Sequence, residues 1–501
     1  MQKYESNTMK ENILRIFVPL PTTSLAFHYY KKSLLSVPLP AVIQNKMRNI
    51  LIIGAGRSAS SLIQYLLNRS TEENLHLTIA DISVEMAQRK AAGHKNATAV
   101  ALDIFDAVAR ATEIKNAELV ISMLPAHLHI EVAKDCITYK KHMVTASYIS
   151  PAMQELDQAA KDANLILMNE IGLDPGIDHM SAMKVIDEIT AKGGKMILFG
   201  SFCGGLVAPE YDTNLWNYKF TWAPRNVVLA GQGGAAKFIQ EGKYKYIPYH
   251  KLFRRTEFLE VEGYGRFEAY ANRDSLKYRN SYGLQDVLTL YRGTIRRVGF
   301  SKAWNMFVQL EMTDDTYIID NSDTISYRDF TNLFLPYHPT DSVEIKLRMQ
   351  LGIDQDDIMW EKLLQLDIFN PNKIVALKNA TPAQIMEKIL SDSWTLQPDD
   401  KDMIVMYHKF GYELDGVKHQ IDSKMVCIGD DQTYTAMAKT VGLPVAMAAL
   451  QILNGKIKTP GVQLPINKEV YLPILKELED HGVVFHEYEM PYVGYNPDIL
   501  S

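Results

Sequence analysis

Cysteine is scarce: Cys136, Cys203 and Cys427 are the only three in 501 residues. None belongs to a Cys-x-x-Cys pair, so neither a disulfide framework nor a structural zinc site is expected, and no metal is. So few thiols fit a reducing cytoplasm. An excess of positive charge is also missing. Lys and Arg total 53 against 59 Asp and Glu, a net charge of −6. That argues against nucleic acid as a partner, but it leaves room for one basic cleft. The apolar stretch Ile13 to Phe27 is interrupted by Arg15, Pro19 and Pro21 and is too short to span a bilayer, so no membrane association is expected. Neither an internal repeat nor a low-complexity segment is visible. What remains is 47% hydrophobic and 22% charged, the profile of a soluble globular protein. At this length the chain exceeds a single core, and two or three domains are expected.

Met47 stands immediately before the first good strand, Asn49 to Ile53. Apolar runs at Leu75–Ala80, Ala97–Leu102 and Leu119–Met123 alternate with helical patterns at Ser60–Asn68 and Val84–Ala92. Strand and helix alternating at this spacing predict βαβ units and a parallel sheet. From about Lys195 the texture changes. Met196–Phe202, Asn305–Met312 and Thr316–Ile319 read as strands without intervening helices, and Met403–Phe410 and Met425–Ile428 as arms of a hairpin around Asp415-Gly416. Helical patterns fill Tyr327–Leu335, Ser342–Leu351, Ile358–Leu366 and Pro382–Leu390, and Thr435–Gly455 is a long helix that Gly442 and Pro444 are expected to kink.

The fold class expected is therefore α/β: a Rossmann-type parallel-sheet domain with an α+β substrate domain of mixed sheet and a helical insertion. Residues 1–46 form an extension without assigned function. The dinucleotide domain covers 47–150 and is completed by 430–501. The substrate domain covers 151–325 and is completed by 401–429, and the insertion is 326–400.

Gly54-Ala-Gly-Arg-Ser-Ala59 lies between a strand and a helix, the context that gives a glycine fingerprint its meaning. Gly54 permits the tight turn, Gly56 lets backbone approach a pyrophosphate, and Ala59 is small enough for close helix packing. The helix N-terminus offers free N–H groups to phosphates. Asp81 ends the second strand, 22 residues beyond Ala59, where a carboxylate binds ribose hydroxyls and repels a 2′-phosphate. NAD is thus favoured, with NADP still accessible through Arg57 or Arg89. Ser122-Met-Leu-Pro125 ends the fourth strand, with His127 and His129 following as proton-transfer or packing residues. A nucleotide or S-adenosylmethionine fold shares such a glycine turn.

Other segments are more specific. Met143-Val-Thr-Ala-Ser-Tyr-Ile-Ser-Pro151, Gly172-Leu-Asp-Pro-Gly-Ile-Asp-His179, Cys203-Gly-Gly-Leu-Val-Ala-Pro-Glu210, Tyr218-Lys-Phe-Thr-Trp222, Asn272-Arg-Asp-Ser275 and Tyr291-Arg-Gly-Thr294 stand in order along the chain. Together they resemble the glutamate-forming saccharopine dehydrogenase family and the matching half of aminoadipic semialdehyde synthase, from about Met47 to Pro465. Val207 and Ala271 depart from the family pattern, each replacing a proline; neither removes a polar group.

The resemblance implies a nicotinamide-dependent dehydrogenase of lysine metabolism that interconverts saccharopine with glutamate and α-aminoadipate semialdehyde. The cofactor set it implies is Gly54, Gly56, Arg57, Ser58, Ala59, Asp81, Ile82, Asp103, Ile104, Ser122, Met123, Leu124 and Leu173. Saccharopine carries three carboxylates, which Arg forks match well. Arg225, Arg273, Arg292 and Arg296 are the expected cations, with Lys219 as a further candidate, and Ser147, Tyr148, Cys203 and Thr294 complete the substrate set. The opposing reading pairs these arginines with acids such as Asp274.

Asp174, in a turn before Pro175-Gly176, is the first choice for catalytic work, against a local role as turn former. Tyr148 joins it as donor or packing wall. Asp178 and His179 read as helix caps, and Cys203 as pocket lining rather than nucleophile. Partners are a small amino-acid substrate and a second copy of the chain in a homodimer. Three rivals stand: a dehydrogenase for another imine-linked amino acid such as carboxynorspermidine, a non-catalytic NAD(P) sensor, and a methyltransferase.

Overall fold

A computed structural model describes residues 47–494; the extension 1–46 lies outside them. The first sheet contains β1 (Arg48–Ile53), β2 (Leu75–Asp81), β3 (Ala97–Ala101), β4 (Leu119–Ser122), β5 (His142–Val144), β6 (Ile166–Met168) and a late strand, β15, introduced below. Its order is β15-β6-β5-β4-β1-β2-β3, parallel throughout. Ile50 to Ile53 are buried, as in strands covered on both faces. The strand order reverses beside β1, between β4 and β2, and a crevice opens there outside the carboxyl ends.

The second sheet contains β7 (Lys195–Val207), β8 (Ala236–Gln240), β9 (Lys243–Ile247), β10 (Thr256–Val261), β11 (Gly265–Ala271), β12 (Thr289–Arg297), β13 (Asp402–Leu414) and β14 (Val417–Ile428). Then β15 (Gly461–Gln463) pairs β6 of the first sheet, and β16 (His486–Pro491) returns to pair β14. The second sheet is mixed: β12 runs parallel to β7 and antiparallel to β11. The β13–β14 hairpin turns at Asp415 and Gly416, whose φ of 51° and 78° give the primed turn expected of that pair.

Two expected strands are absent. Residues 305–312 belong mostly to the helix Phe300–Gln309, which buries Phe300, Ala303, Trp304, Phe307 and Val308. Spacings of three and four residues are the helical period, which the apolar content of 305–312 alone conceals. Thr316–Ile319 forms no strand, only a bridge from Ile319 to Ala380. The insertion is helical over Tyr327–Leu333, Val343–Leu351, Ile358–Gln365 and Pro382–Trp394. Capping boxes start the first and last of these, Ser326 with Asp329 and Thr381 with Gln384. Trp216, Trp304 and Trp394 are buried beside it with Tyr218 and Phe300.

One described helix, Ala436–Leu453, is long and apolar enough to cross a membrane, and 78% of it is buried in the fold. It runs uninterrupted through Pro444 and packs on the helix Ser60–Arg69 that follows the glycine turn. A Cβ at Gly442 would lie 2.9 Å from both Ser58 O and Leu62 N. Only glycine permits that approach. Gly442→Val is therefore expected to lower stability by about 1–3 kcal/mol and to weaken dinucleotide binding, read by thermal melting and by fluorescence titration with reduced cofactor.

Candidate active site

The glycine turn builds one wall of the crevice. Gly54 has φ +105°, and a Cβ there would meet Met123 O at 2.8 Å. Gly56, by contrast, faces open space, with nothing within 4 Å of a notional Cβ. A pyrophosphate fits there, against the turn Arg57–Ala59 that leads into the helix Ser60–Arg69. Asp81 accepts the Ala55 N–H at 2.7 Å and the Ser83 N–H at 3.0 Å. It fixes the glycine turn while standing at the carboxyl end of β2. Ile82 is exposed, Asp103 caps the Phe105 N–H at 2.9 Å, and Ile104 is buried. Met123, Leu124 and Leu173 follow the ends of β4 and β6. These residues fit a dinucleotide.

Ser122 leads towards the substrate side. His129, 3% exposed, joins Ser122 Oγ at 2.8 Å through Nδ1 and Ser147 Oγ at 2.7 Å through Nε2. Burial lowers its pKa to about 4, so the ring is neutral. Next to Ser147, the Tyr148 hydroxyl donates to Asp174 Oδ1 at 3.1 Å. Arg292, arriving on β12, donates Nη2 to the same oxygen at 2.5 Å and to Asp178 Oδ2 at 2.8 Å. The loop Gly172–Gly176 presents both acids. Gly176 has φ +147°, and a Cβ on it would fall 2.1 Å from Gly172 O. Its N–H is taken by Asp178 Oδ1 at 2.6 Å, so Asp178 does bond the helix start, yet it also pairs Arg292. Burial, with Asp178 alongside and Arg292 opposing, raises the Asp174 pKa. Burial and the two aspartates push the Cys203 thiol well up, which keeps it from acting as a thiolate nucleophile.

Behind this pair lies a network the sequence did not disclose. Glu170 and His179 are both fully buried, 3.0 Å apart. Glu170 also accepts from Tyr278 OH at 2.7 Å, Ile149 N at 2.8 Å and Lys277 Nζ at 3.2 Å. Burial would raise its pKa, but these donors, led by His179, hold it at about 2. With its proton on Nε2, His179 accepts from the Tyr282 hydroxyl at Nδ1. His179 is a linker here, not a cap. The signal available in the sequence was a titratable residue, Glu170, just before the Gly172–His179 motif.

The expected cations separate. Arg292 and Arg296 are buried on β12 and share one face with Thr294, which pairs Cys203. Arg273 is exposed, φ 47°, its guanidinium 5.6 Å from the Tyr148 ring. Asp274 pairs Lys237 at 3.7 Å and caps Leu276. Arg225 forms its ion pair with Asp315, on the helix Pro224–Val228 packed against Pro382–Trp394. Lys219 is buried against Asp400 at 2.7 Å.

The same two-part layout appears in known proteins. A family model described as the saccharopine dehydrogenase NADP binding domain matches residues 50–168, and one for the saccharopine dehydrogenase C-terminal domain matches 172–483. The chain belongs to the saccharopine dehydrogenase family. The NADP(+), L-glutamate-forming saccharopine dehydrogenase of Pyricularia oryzae is 34% identical over 87% of this chain and 98% of its own. The mitochondrial α-aminoadipic semialdehyde synthase of Rattus norvegicus is 34% identical over 88% of this chain, which spans 47% of that longer protein. The apo L-Glu-forming enzyme of Saccharomyces cerevisiae superposes with a TM-score of 0.80 at 33% identity, covering 88% of this chain and all of that one.

Removing one member of a buried ion cluster strands the others. Arg292→Gln is expected to cost about 3–5 kcal/mol of stability, read by denaturant unfolding, whereas Arg225→Gln, whose ion pair is partly exposed, should cost far less.

Proposed function

We propose that this chain oxidises saccharopine with a nicotinamide dinucleotide to give glutamate and α-aminoadipate semialdehyde, and runs the reverse. The observation that carries this reading is a buried carboxylate, Asp174, held by Tyr148 and Arg292 where the carboxyl ends of the first sheet meet β12. A nicotinamide dinucleotide held by the turn Gly54–Ala59 would supply the hydride acceptor for the lysine-derived carbon beside the secondary amine. The amine proton then has an acceptor in Asp174, whose raised pKa suits a group that must both take and return a proton. Arg292 keeps its charge and offsets the negative charge of the two aspartates. The Tyr148 hydroxyl, its pKa raised chiefly by burial, stays protonated and serves as a donor. Water adds to the imine, and proton return to nitrogen releases glutamate. Ser147, Cys203 and Thr294 line the approach, and Arg273 at the rim can meet a carboxylate.

On cofactor choice two observations oppose each other. NADP(+) is in the names of the relatives, whereas Asp81 of this chain stands where a 2′-phosphate would be repelled. The ratio of kcat/KM with NAD to that with NADP decides between them. If Asp81 selects, Asp81→Ala moves the ratio about tenfold towards NADP; an unchanged ratio removes Asp81 from the selection.

Asp174→Asn should cut turnover about 100-fold or more with reduced-cofactor affinity intact. A raised carboxylate pKa means that the base form is lost as pH falls through it, so the wild-type kcat/KM profile has an acid limb above the ordinary aspartate range, and the variant lacks it. Near-normal turnover in the variant would move the proton acceptor elsewhere. Failure of the wild-type chain, shown to bind reduced cofactor, to oxidise saccharopine would overturn the substrate assignment and favour a relative acting on another imine-linked amino acid.

A further inference from the structure

The backbone around Ser147 is pinned from both sides. Its N–H meets Thr145 Oγ1 at 3.3 Å, its carbonyl accepts the Glu170 N–H at 3.1 Å, and the Ile149 N–H reaches Glu170 Oε1 at 2.8 Å. Only the side chain of Ser147 is left to orient. Among the described residues its hydroxyl has one partner, His129 Nε2 at 2.7 Å. The residue is half-buried, next to Tyr148, whose own hydroxyl meets Asp174.

His129 begins the helix His129–Thr138, and burial keeps its ring neutral. A neutral imidazole has one N–H and one bare nitrogen, so its two ends play opposite parts. The Ser122 end decides which is which. Ser122 is fully buried, and among the described residues its hydroxyl has only His129 Nδ1, at 2.8 Å. A ring proton on Nδ1 would leave that hydroxyl hydrogen without an acceptor in the interior, which is costly. With Nδ1 bare, Ser122 donates to it, and Nε2–H donates to Ser147 Oγ. Thr145 pulls the other way, because its hydroxyl would donate to a bare Nε2. At 3.4 Å that contact lies at the outer limit of hydrogen bonding. The 2.8 Å contact prevails.

Donation from the ring occupies a lone pair of Ser147 and turns its hydroxyl hydrogen away from His129. Hydrogen bonds in series polarise one another, so the O–H at the end of this chain is strengthened as a donor. Ser122 ends β4 and Ser147 follows β5, at the carboxyl ends where an open α/β sheet takes its ligands. We infer that His129 is a positioning residue which, backed by Ser122, fixes Ser147 as a hydrogen-bond donor to an oxygen of the bound ligand. Two ligands offer such an acceptor. One is the nicotinamide carboxamide; the other, resting on the proposed saccharopine reading, is a substrate carboxylate.

Nitrogen NMR of the full-length native protein, labelled at its histidine rings, tests the chain directly, with His129→Gln assigning the signals. The ring should carry its proton on Nε2, and Ser122→Ala should bring in the other tautomer. Ligand binding is read by fluorescence titration with NADH and NADPH and by the KM for saccharopine. Ser147→Ala should weaken one of these about three- to tenfold. A changed cofactor affinity assigns the carboxamide, and a changed KM alone assigns the substrate. His129→Leu should weaken the same ligand by a similar factor, with no further loss in the double variant and partial rescue in His129→Gln, whose amide keeps a donor and an acceptor. A native ring protonated on Nδ1 overturns the inference, and that reading needs no variant beyond the assignment. Losses that multiply in the double variant, or a Ser147→Ala protein with native affinities throughout, overturn it as well. If the chain does not turn saccharopine over, the proposed reaction falls, and the ring proton and the cofactor affinities alone decide the inference.

Discussion

Arg292 between Asp174 and Asp178 is the contact on which the site depends. The arginine comes from β12 of the second sheet, and both acids from the loop and helix start that follow β6 of the first. One permanent charge holds two aspartates in the interior, so the sheets cannot separate there without leaving charges unpaired. The trio does not balance. Asp178 is anchored by the Gly176 N–H as well as by Arg292. The excess negative charge therefore falls on Asp174, whose other protein donor is the Tyr148 hydroxyl. Burial and the neighbouring carboxylate then raise its pKa. The raised pKa of Asp174, the proton acceptor proposed above, arises from an arrangement short of one positive charge.

The legible parts of this architecture were those with local causes. A short apolar strand, a glycine turn and an acid at the next strand end are encoded within about thirty residues, and the structure has them at Gly54, Gly56 and Asp81. The Asp415-Gly416 turn was equally readable, because both residues accept positive φ. Residues 305–312 failed for the converse reason. Their apolar content suits a strand, and only by including Phe300 and Ala303 does the helical period emerge. Glu170 and His179 were illegible differently: Tyr278 and Tyr282 reach them from more than a hundred residues away. Distant partners leave no spacing to read. Arg225 and Arg296 look alike in sequence, and only the folded chain gives one an acid and leaves the other without an ion pair among the described residues.

Two histidines show how the fold divides the crevice. His129 and His179 are both buried, but His129 meets only hydroxyls and stays neutral, while His179 lies against Glu170 within reach of Asp178. Between Ser122 at the cofactor-side strand end and Ser147 beside Tyr148, neutral hydrogen bonds make the connection. A buried charge there would need a partner, and the surrounding elements supply none to the imidazole. On the far side, charges are buried in quantity: Glu170 is compensated by Lys277 and its three other donors, Asp174 and Asp178 only in part by the single Arg292. Burying charge is tolerable where geometry supplies every partner, and costly elsewhere. Within the crevice, buried charge gathers about Glu170, Asp174 and Asp178, and a neutral ring joins that side to the strand end beside the dinucleotide turn.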